Sequence, residues 1–134
     1  MNPDSPCPCG TGKPLAACCG PFIEGSETPE TAEALMRSRY TAYTLSRGDY
    51  LRATWHPTTR RKDLDLDENV KWFGLEIVRT QGGGPNDKEG IVEFVARYKI
   101  GGRAHRMQEA SRFVCKAGRW FYVNGEAITP SSEQ

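Results

Sequence analysis

Residues 91–102 read IVEFVARYKIGG, an alternation of apolar and polar residues that ends in two glycines. Because successive side chains of a β-strand point to opposite faces, residues two apart share a face. The apolar face carries Val92, Phe94, Ala96 and Tyr98, and the polar face carries Glu93, Arg97 and Lys99. Gly101-Gly102 is a signal for a two-residue hairpin turn. The stretch therefore predicts a half-buried strand that turns back into an antiparallel neighbour.

Three further strands are predicted around this one. Residues 70–80 alternate, with Phe73, Leu75 and Ile77 together on one face. A polar, glycine-rich loop at 81–90 separates them from the central strand. After the hairpin, residues 103–115 form the next strand, and a turn at 116–119 leads into a last strand at 120–124. The pattern predicts a four-stranded antiparallel meander.

Helical periodicity precedes the strands. Residues from about 30 to 47 read as one helix, with Thr28 as its N-cap and a short second helix after it at 50–55. The basic cluster Arg60-Arg61-Lys62 follows and reads as part of a solvated connection at 58–69. Helices followed by an antiparallel sheet are typical of an α+β fold. A sheet that curls around a helix leaves a cone-shaped hollow, which is a natural pocket.

Four of the five cysteines lie close together, as Cys7-Pro8-Cys9 and Cys18-Cys19. Thiolates at such spacing typically hold one tetrahedral Zn²⁺ ion. Disulfides or free thiols are the alternative, although adjacent cysteines do not easily bond each other without strain. A four-thiolate site leaves no open position, so the expected ion is structural, with Lys13 offsetting part of its charge. The fifth cysteine, Cys115, reads as a small buried residue.

The composition narrows the class of protein. The chain has 134 residues and a formal charge of +1, so we expect about one domain and no overall positive field for nucleic acid. No apolar run approaches the roughly 20 residues that cross a bilayer. The first residues have neither the basic nor the apolar region of a signal peptide. We therefore expect a cytoplasmic protein without a membrane span, and we do not expect nucleic acid as a partner.

Arg39 falls near the middle of the apolar face of the first helix. A buried guanidinium needs a partner, because burying an unpaired charge is costly. Glu109 is the expected partner, since it alternates with apolar residues on a strand face that reads as inward. Two interpretations stay open: a structural buried ion pair, and a cavity floor that holds an anionic or polar ligand.

The other candidates for a pocket are Tyr43, Trp55, His56 and Phe113. His56 is a candidate acid or base by residue type, and its place at a helix end also suits a capping or packing role. The aromatic residues suit either a pocket wall or the core. No Ser-His-Asp set, paired carboxylates or nucleotide-binding fingerprint stands out, so we assign no catalytic residue.

A resemblance to the SEC-C zinc-binding knuckle rests on Cys7-Pro8-Cys9-Gly10-Thr11-Gly12-Lys13 followed by Cys18-Cys19-Gly20. The rest of the chain resembles the YchJ-like (UPF0225) family of uncharacterised bacterial proteins. The matching segments are LMRSRY at 35–40, TWHP at 54–57, WFGL at 72–75, FVARY at 94–98, SRF at 111–113 and WFY at 120–122.

The resemblance implies a SEC-C zinc knuckle at residues 1–25 and an NTF2-like (cystatin-like) α+β domain at 26–134. In that fold a curved antiparallel sheet packs on N-terminal helices. The resemblance carries no known reaction, and the fold hosts enzymes and binding modules alike. We expect a module with one structural Zn²⁺ that binds a protein partner through the knuckle or a small ligand in the cavity. The alternative is an isomerase, dehydratase or hydrolase with its active site in that cavity.

Overall fold

The computed structural model describes residues 4–60 and 69–127. Three helices come first: α1 at Gly20–Glu24, α2 at Ala32–Thr44 and α3 at Gly48–Ala53, with a 3-10 turn at Leu15–Ala17 before them. Four strands follow: β1 at Val70–Gly82, β2 at Glu89–Ile100, β3 at Arg103–Lys116 and β4 at Arg119–Ala127. The sheet is antiparallel with the order β1-β2-β3-β4, which confirms the predicted α+β meander.

Two further predictions concern membrane-spanning helices and the connection between the helices and the sheet. Within the described ranges, no helix is long and apolar enough to cross a membrane. The predicted solvated connection at 58–69 lies mostly outside the described residues, and so do two of the three members of its basic cluster.

One face of the sheet packs on α2 and α3 and forms the core. The central layer consists of Val92, Phe94, Phe113 and Trp120 from the sheet and of Leu35 and Leu51 from the helices. Full burial of a large apolar side chain contributes about 1.5–3 kcal/mol to folding. This layer belongs to one continuous apolar cluster, which also includes Cys7, Cys9, Leu15, Cys19 and Ile23 of the N-terminal segment.

A β-bulge in β1 corrects one prediction. Trp72 and Gly74 face consecutive positions of β2, so Phe73 is an extra residue between them. The extra residue reverses the alternation: Trp72, like Leu75 and Ile77, packs against the core, and Phe73 is 50% exposed. The predicted grouping of Phe73 with Leu75 and Ile77 on one face is wrong, because a bulge changes which set of alternate residues faces the core.

Helix α2 begins later than predicted. The Thr31 side chain accepts a hydrogen bond from the Ala34 amide at 3.0 Å, as an N-cap does. Residues 28–30 are not helical, and the Glu30 carbonyl accepts a hydrogen bond from Trp120 Nε1 at 3.1 Å. The predicted cap at Thr28 is therefore wrong. Two threonines three residues apart offer similar caps, and the contact with β4 favours the second.

The first turn of α2 lies directly on the β1–β2 hairpin. The Ala32 amide donates to the Gly83 carbonyl at 2.9 Å. A Cβ atom at Gly90 would lie 2.5 Å from Gly83 Cα and 3.3 Å from Ala32 Cβ. Only glycine at position 90 allows this close approach.

Replacing Gly90 with alanine should lower the free energy of unfolding by about 1–3 kcal/mol, the usual cost of overpacking. Chemical denaturation measures this change. Gly74→Ala is the matched control in the same hairpin, since its added methyl group would meet only Arg97 side-chain atoms at 3.6 Å or more. Equal stability of the two variants would show that helix and hairpin do not touch as described.

Candidate metal centre and ligand cavity

The cysteine segment folds as a tight loop. The Cys7 amide donates to the Lys13 carbonyl at 2.8 Å and closes the loop at its first cysteine pair. The 3-10 turn ends just before Cys18, and Cys19 directly precedes α1, so the second pair returns to the first. The Lys13 side chain is exposed, and its part as a counter-charge stays a prediction.

The sulfur atoms of Cys7, Cys9, Cys18 and Cys19 lie within 4.8 Å of one another. All four thiols are free, and Cys9 Sγ lies 3.6 Å from Cys18 Sγ, too far for a disulfide bond. A tetrahedral Zn²⁺ ion with bonds of about 2.3 Å requires sulfur–sulfur separations of about 3.8 Å. The chemistry and spacing of the four donors therefore fit a zinc ion.

The thiols of the cluster hold their protons unequally. Hydrogen bonds from the Cys19 and Cys9 thiols hold the pKa of Cys7 far below its usual range. The bond to Cys7 raises the pKa of Cys19, and burial raises the pKa of Cys18. Several thiolates so close together repel one another, so the cluster needs a cation to hold them all in the charged form.

Two side chains of α2 reach the cysteine loop. Arg37 Nη1 donates to the Cys9 carbonyl at 2.8 Å, while Glu33 accepts from Arg37 Nε at 3.0 Å. One turn further on, the Thr41 hydroxyl lies 3.5 Å from Cys7 Sγ. Sequence reasoning missed both contacts. The available signal was that Arg37 and Thr41 lie opposite the apolar face, on the side that the knuckle covers.

A cavity of about 240 Å³ lies between α2 and the inner face of the sheet. Its wall consists of Met36, Arg39, Tyr40 and Tyr43 of α2, Trp72 of β1, Phe94 and Ala96 of β2, Met107, Glu109 and Ser111 of β3, and Tyr122 of β4. An apolar pocket with a few polar groups is the usual form of a small-molecule site. Sequence reasoning did not assign Met36, Met107 and Tyr122 to this wall. Their only signal was an inward position on their elements.

Arg39 lies in the cavity wall, and no carboxylate of the described residues forms an ion pair with it. Its Nη1 donates to the Leu51 carbonyl at 2.8 Å and to Thr54 Oγ1 at 2.7 Å. Its Cζ lies 4.6 Å from the ring centroid of Tyr122, and burial lowers its pKa. Among the residues that the structure describes, no ion pair joins Arg39 to Glu109, so the predicted pairing is wrong.

Glu109 faces the same cavity from β3. Burial raises the pKa of its carboxyl group, and no partner for that group occurs in the described part of the chain. A Cβ atom at Gly125 would lie 2.9 Å from Glu109 Oε1 and 3.0 Å from Ser111 Oγ, so the glycine leaves space for both polar groups. The cavity therefore holds one basic and one acidic side chain that do not pair directly.

The other predicted pocket residues take different places. Tyr43 lines the cavity. Trp55 lies outside its wall, with its ring centroid 5.7 Å from Arg39 Cζ. His56 forms hydrogen bonds within its own loop, and Phe113 is a core residue that is 1% exposed. The predicted pocket is corrected to leave out Trp55, His56 and Phe113.

Comparison with known proteins covers both parts of the chain. The SEC-C motif matches residues 5–21, and the family described as YchJ, middle NTF2-like domain, matches residues 31–125. A UPF0225 protein from Chromobacterium violaceum is 58% identical over 123 residues, which cover 89% of this chain and 90% of that protein. A UPF0225 protein from Deinococcus radiodurans is 50% identical over 123 residues, which cover 91% and 89%.

Solved structures share the fold. The solution structure of a SEC-C motif containing protein from Rhodopseudomonas palustris is 36% identical, with a TM-score of 0.81 over 93% of this chain and 100% of that one. The crystal structure of a SEC-C motif containing protein from Psychrobacter arcticus is 25% identical, with a TM-score of 0.77 over 96% and 85%. Since the sequence matches extend over most of its length, the chain belongs to the UPF0225 family of SEC-C proteins with a YchJ-type NTF2-like domain.

Proposed function

We propose that this protein is a zinc-stabilised module whose NTF2-like cavity binds a small ligand. The cluster of four free cysteine sulfurs within 4.8 Å of one another carries the zinc part of the proposal. Four thiolates close the coordination shell, so the ion would be structural and would bind no substrate. We place the protein in the cytoplasm, where thiols stay reduced and available to the metal.

The cavity supports the ligand-binding part. Its volume of about 240 Å³ exceeds the roughly 150 Å³ that admits benzene in an engineered protein. Arg39 and Glu109 face it without pairing, and polar groups in such a place are costly unless a ligand or water supplies partners. A filled core with an Arg39–Glu109 ion pair would instead have favoured a scaffold that acts through the knuckle alone. A protein partner at the knuckle stays a prediction.

An enzyme is the second candidate, and the environment of Glu109 favours it. Burial raises the pKa of this carboxyl group, and a carboxyl group with a shifted pKa inside a cavity is a candidate general acid or base. Ser111 and Tyr122 line the same cavity and would contribute hydroxyl groups. Glu109 would then act as a general acid or base on a ligand beside it, in an isomerase, dehydratase or hydrolase.

Protein purified without an affinity tag should contain one zinc ion per chain, as measured by elemental analysis. Cys18→Ser should reduce the zinc content, because a hydroxyl group is a far poorer zinc ligand than a thiolate. Cys115→Ser is the matched control and should keep the metal, since Cys115 lies in β3 and outside the cluster. Zinc-free protein with oxidised Cys7, Cys9, Cys18 and Cys19 would refute the assignment.

Removing zinc with a chelator should unfold residues 1–25 and leave the sheet folded. The reason is that the loop is too short to bury a core without its metal, whereas most of the shared apolar cluster comes from the sheet and from α2 and α3. Amide hydrogen exchange measures the extent of unfolding: the Cys7 amide should lose its protection, and the Val92 and Phe113 amides should keep theirs. Loss of protection across the strands would show that loop and sheet fold as one unit.

Binding in the cavity should shift the methyl signals of Met36 and Met107, because both residues line it. The chain has three methionines, so ¹³C-methyl labelling of methionine gives a simple NMR spectrum. Titration with cinnamyl alcohol, a small neutral aromatic probe, should move both signals in a saturable manner. If neither signal moves with a neutral, anionic or cationic probe, the cavity does not bind small ligands.

A further inference from the structure

Within residues 4–60 and 69–127, no acidic side chain balances the charge of Arg39. The residue is 4% exposed, and no acidic side chain of the described chain lies within ion-pair distance of it. The ring of Tyr122, 4.6 Å from Cζ, offsets part of the cost. Such a contact stabilises a cation by less than the burial of an unpaired charge costs. An anion at this position would make up the difference.

The remaining donors of Arg39 are accessible from the cavity. Both N–H groups of Nη1 are used by Leu51 and Thr54. Among described side chains, no buried nitrogen or oxygen atom lacks a partner. No hydrogen bond within the described chain occupies Nε or Nη2 of Arg39, and the residue lines the cavity. A guanidinium edge of this kind matches the two oxygens of a carboxylate.

The rest of the wall suits an apolar body. Tyr40, Trp72, Phe94 and Met107 surround the space, whose volume of about 240 Å³ accommodates an aromatic ring with a short side chain. Arg39 is the one basic residue of this described wall, so a second negative charge on the ligand would stay unpaired. These observations favour a single carboxylate over a phosphate or a dicarboxylate.

From this geometry we infer that the cavity selects a small apolar or aromatic monocarboxylate, whose charged end is bound by Arg39. The inference rests on the proposed ligand-binding function and adds the charge class of the ligand. The cavity wall would contact the apolar body and would distinguish ligands by size and shape.

Glu109 adds a pH dependence to this selection. When ionised it repels an anion, and when neutral it can donate a hydrogen bond to one. The other titratable groups that face it are Arg39, Tyr40 and Tyr43 from α2 and Tyr122 from β4, while β1 and β2 contribute only Trp72, Phe94 and Ala96. Arginine and tyrosine side chains ordinarily titrate near pH 10 or above. Because burial favours the neutral form of Glu109, affinity for the anion should fall as pH rises through the pKa of Glu109.

The test compares three probes of one shape: cinnamate, cinnamyl alcohol and cinnamylamine. Dissociation constants come from the Met36 and Met107 methyl signals of the full chain, at several pH values between about 5 and 8. At the lowest pH of this range, cinnamate should bind about tenfold or more tightly than the alcohol. A hydrogen bond to a charged group usually raises affinity by at least that factor. The amine should bind more weakly than both.

Two variants assign the effect to residues. Arg39→Met keeps the volume and should remove the preference for cinnamate over the alcohol, whereas Arg52→Met on the exposed side of α3 should keep it. Glu109→Gln should remove the pH dependence of cinnamate binding, whereas Glu93→Gln, on the outer network with Arg79, should keep it. If Arg39→Met does not fold, the comparison of the three probes and the Glu109→Gln variant still test the inference.

The outcomes separate the two proposals. If no probe moves either methyl signal, ligand binding itself fails. If the alcohol or the amine binds as tightly as cinnamate, ligand binding stands and the monocarboxylate inference is overturned. An unchanged preference for cinnamate in folded Arg39→Met would also overturn it, because the selectivity would then arise elsewhere.

Discussion

Helix α2 is enclosed on nearly all sides, so its polar side chains must find partners inside the protein. Eight of its thirteen residues are buried. Ser38 shares a hydrogen bond of 2.7 Å with the Tyr50 hydroxyl and thereby contacts α3. Arg39 donates hydrogen bonds to Leu51 and Thr54 at the end of α3. Arg37 and Thr41 contact the cysteine loop. The polar residues of one helix therefore determine where its neighbours pack.

The cysteine loop and the cavity consequently share this helix as a wall. Arg37 and Thr41 contact the loop, whereas Met36, Arg39 and Tyr43 face the cavity. Residues that contact the loop and residues that face the cavity alternate within about two turns of α2. A metal ion that orders the loop would therefore also support one wall of the cavity, although a closed four-thiolate site contributes no chemistry itself.

The strands were predictable because their signals are local. Gly101 and Gly102 both have positive φ, as the hairpin turn predicted from them requires. The direction of each side chain was less predictable, since one extra residue at Phe73 reverses the alternation. The local sequence pattern contains no signal for this bulge. The four cysteines could be grouped from the sequence because they are neighbours along the chain. The separation of Arg39 from Glu109 could not be predicted from the sequence, because it depends on the distance between α2 and β3 across the cavity.

Stability alone does not explain an arginine at position 39. Replacing a buried charge with an apolar residue of similar volume is often neutral or stabilising, because the charge loses its hydration on burial. The bonds to Leu51 and Thr54 compensate only part of that loss, since both partners are neutral. The cost becomes intelligible if the missing negative charge arrives with a ligand. A half-buried acid such as Glu109, with its pKa raised by burial, is consistent with this view, because its neutral form leaves the positive charge of Arg39 available to that ligand.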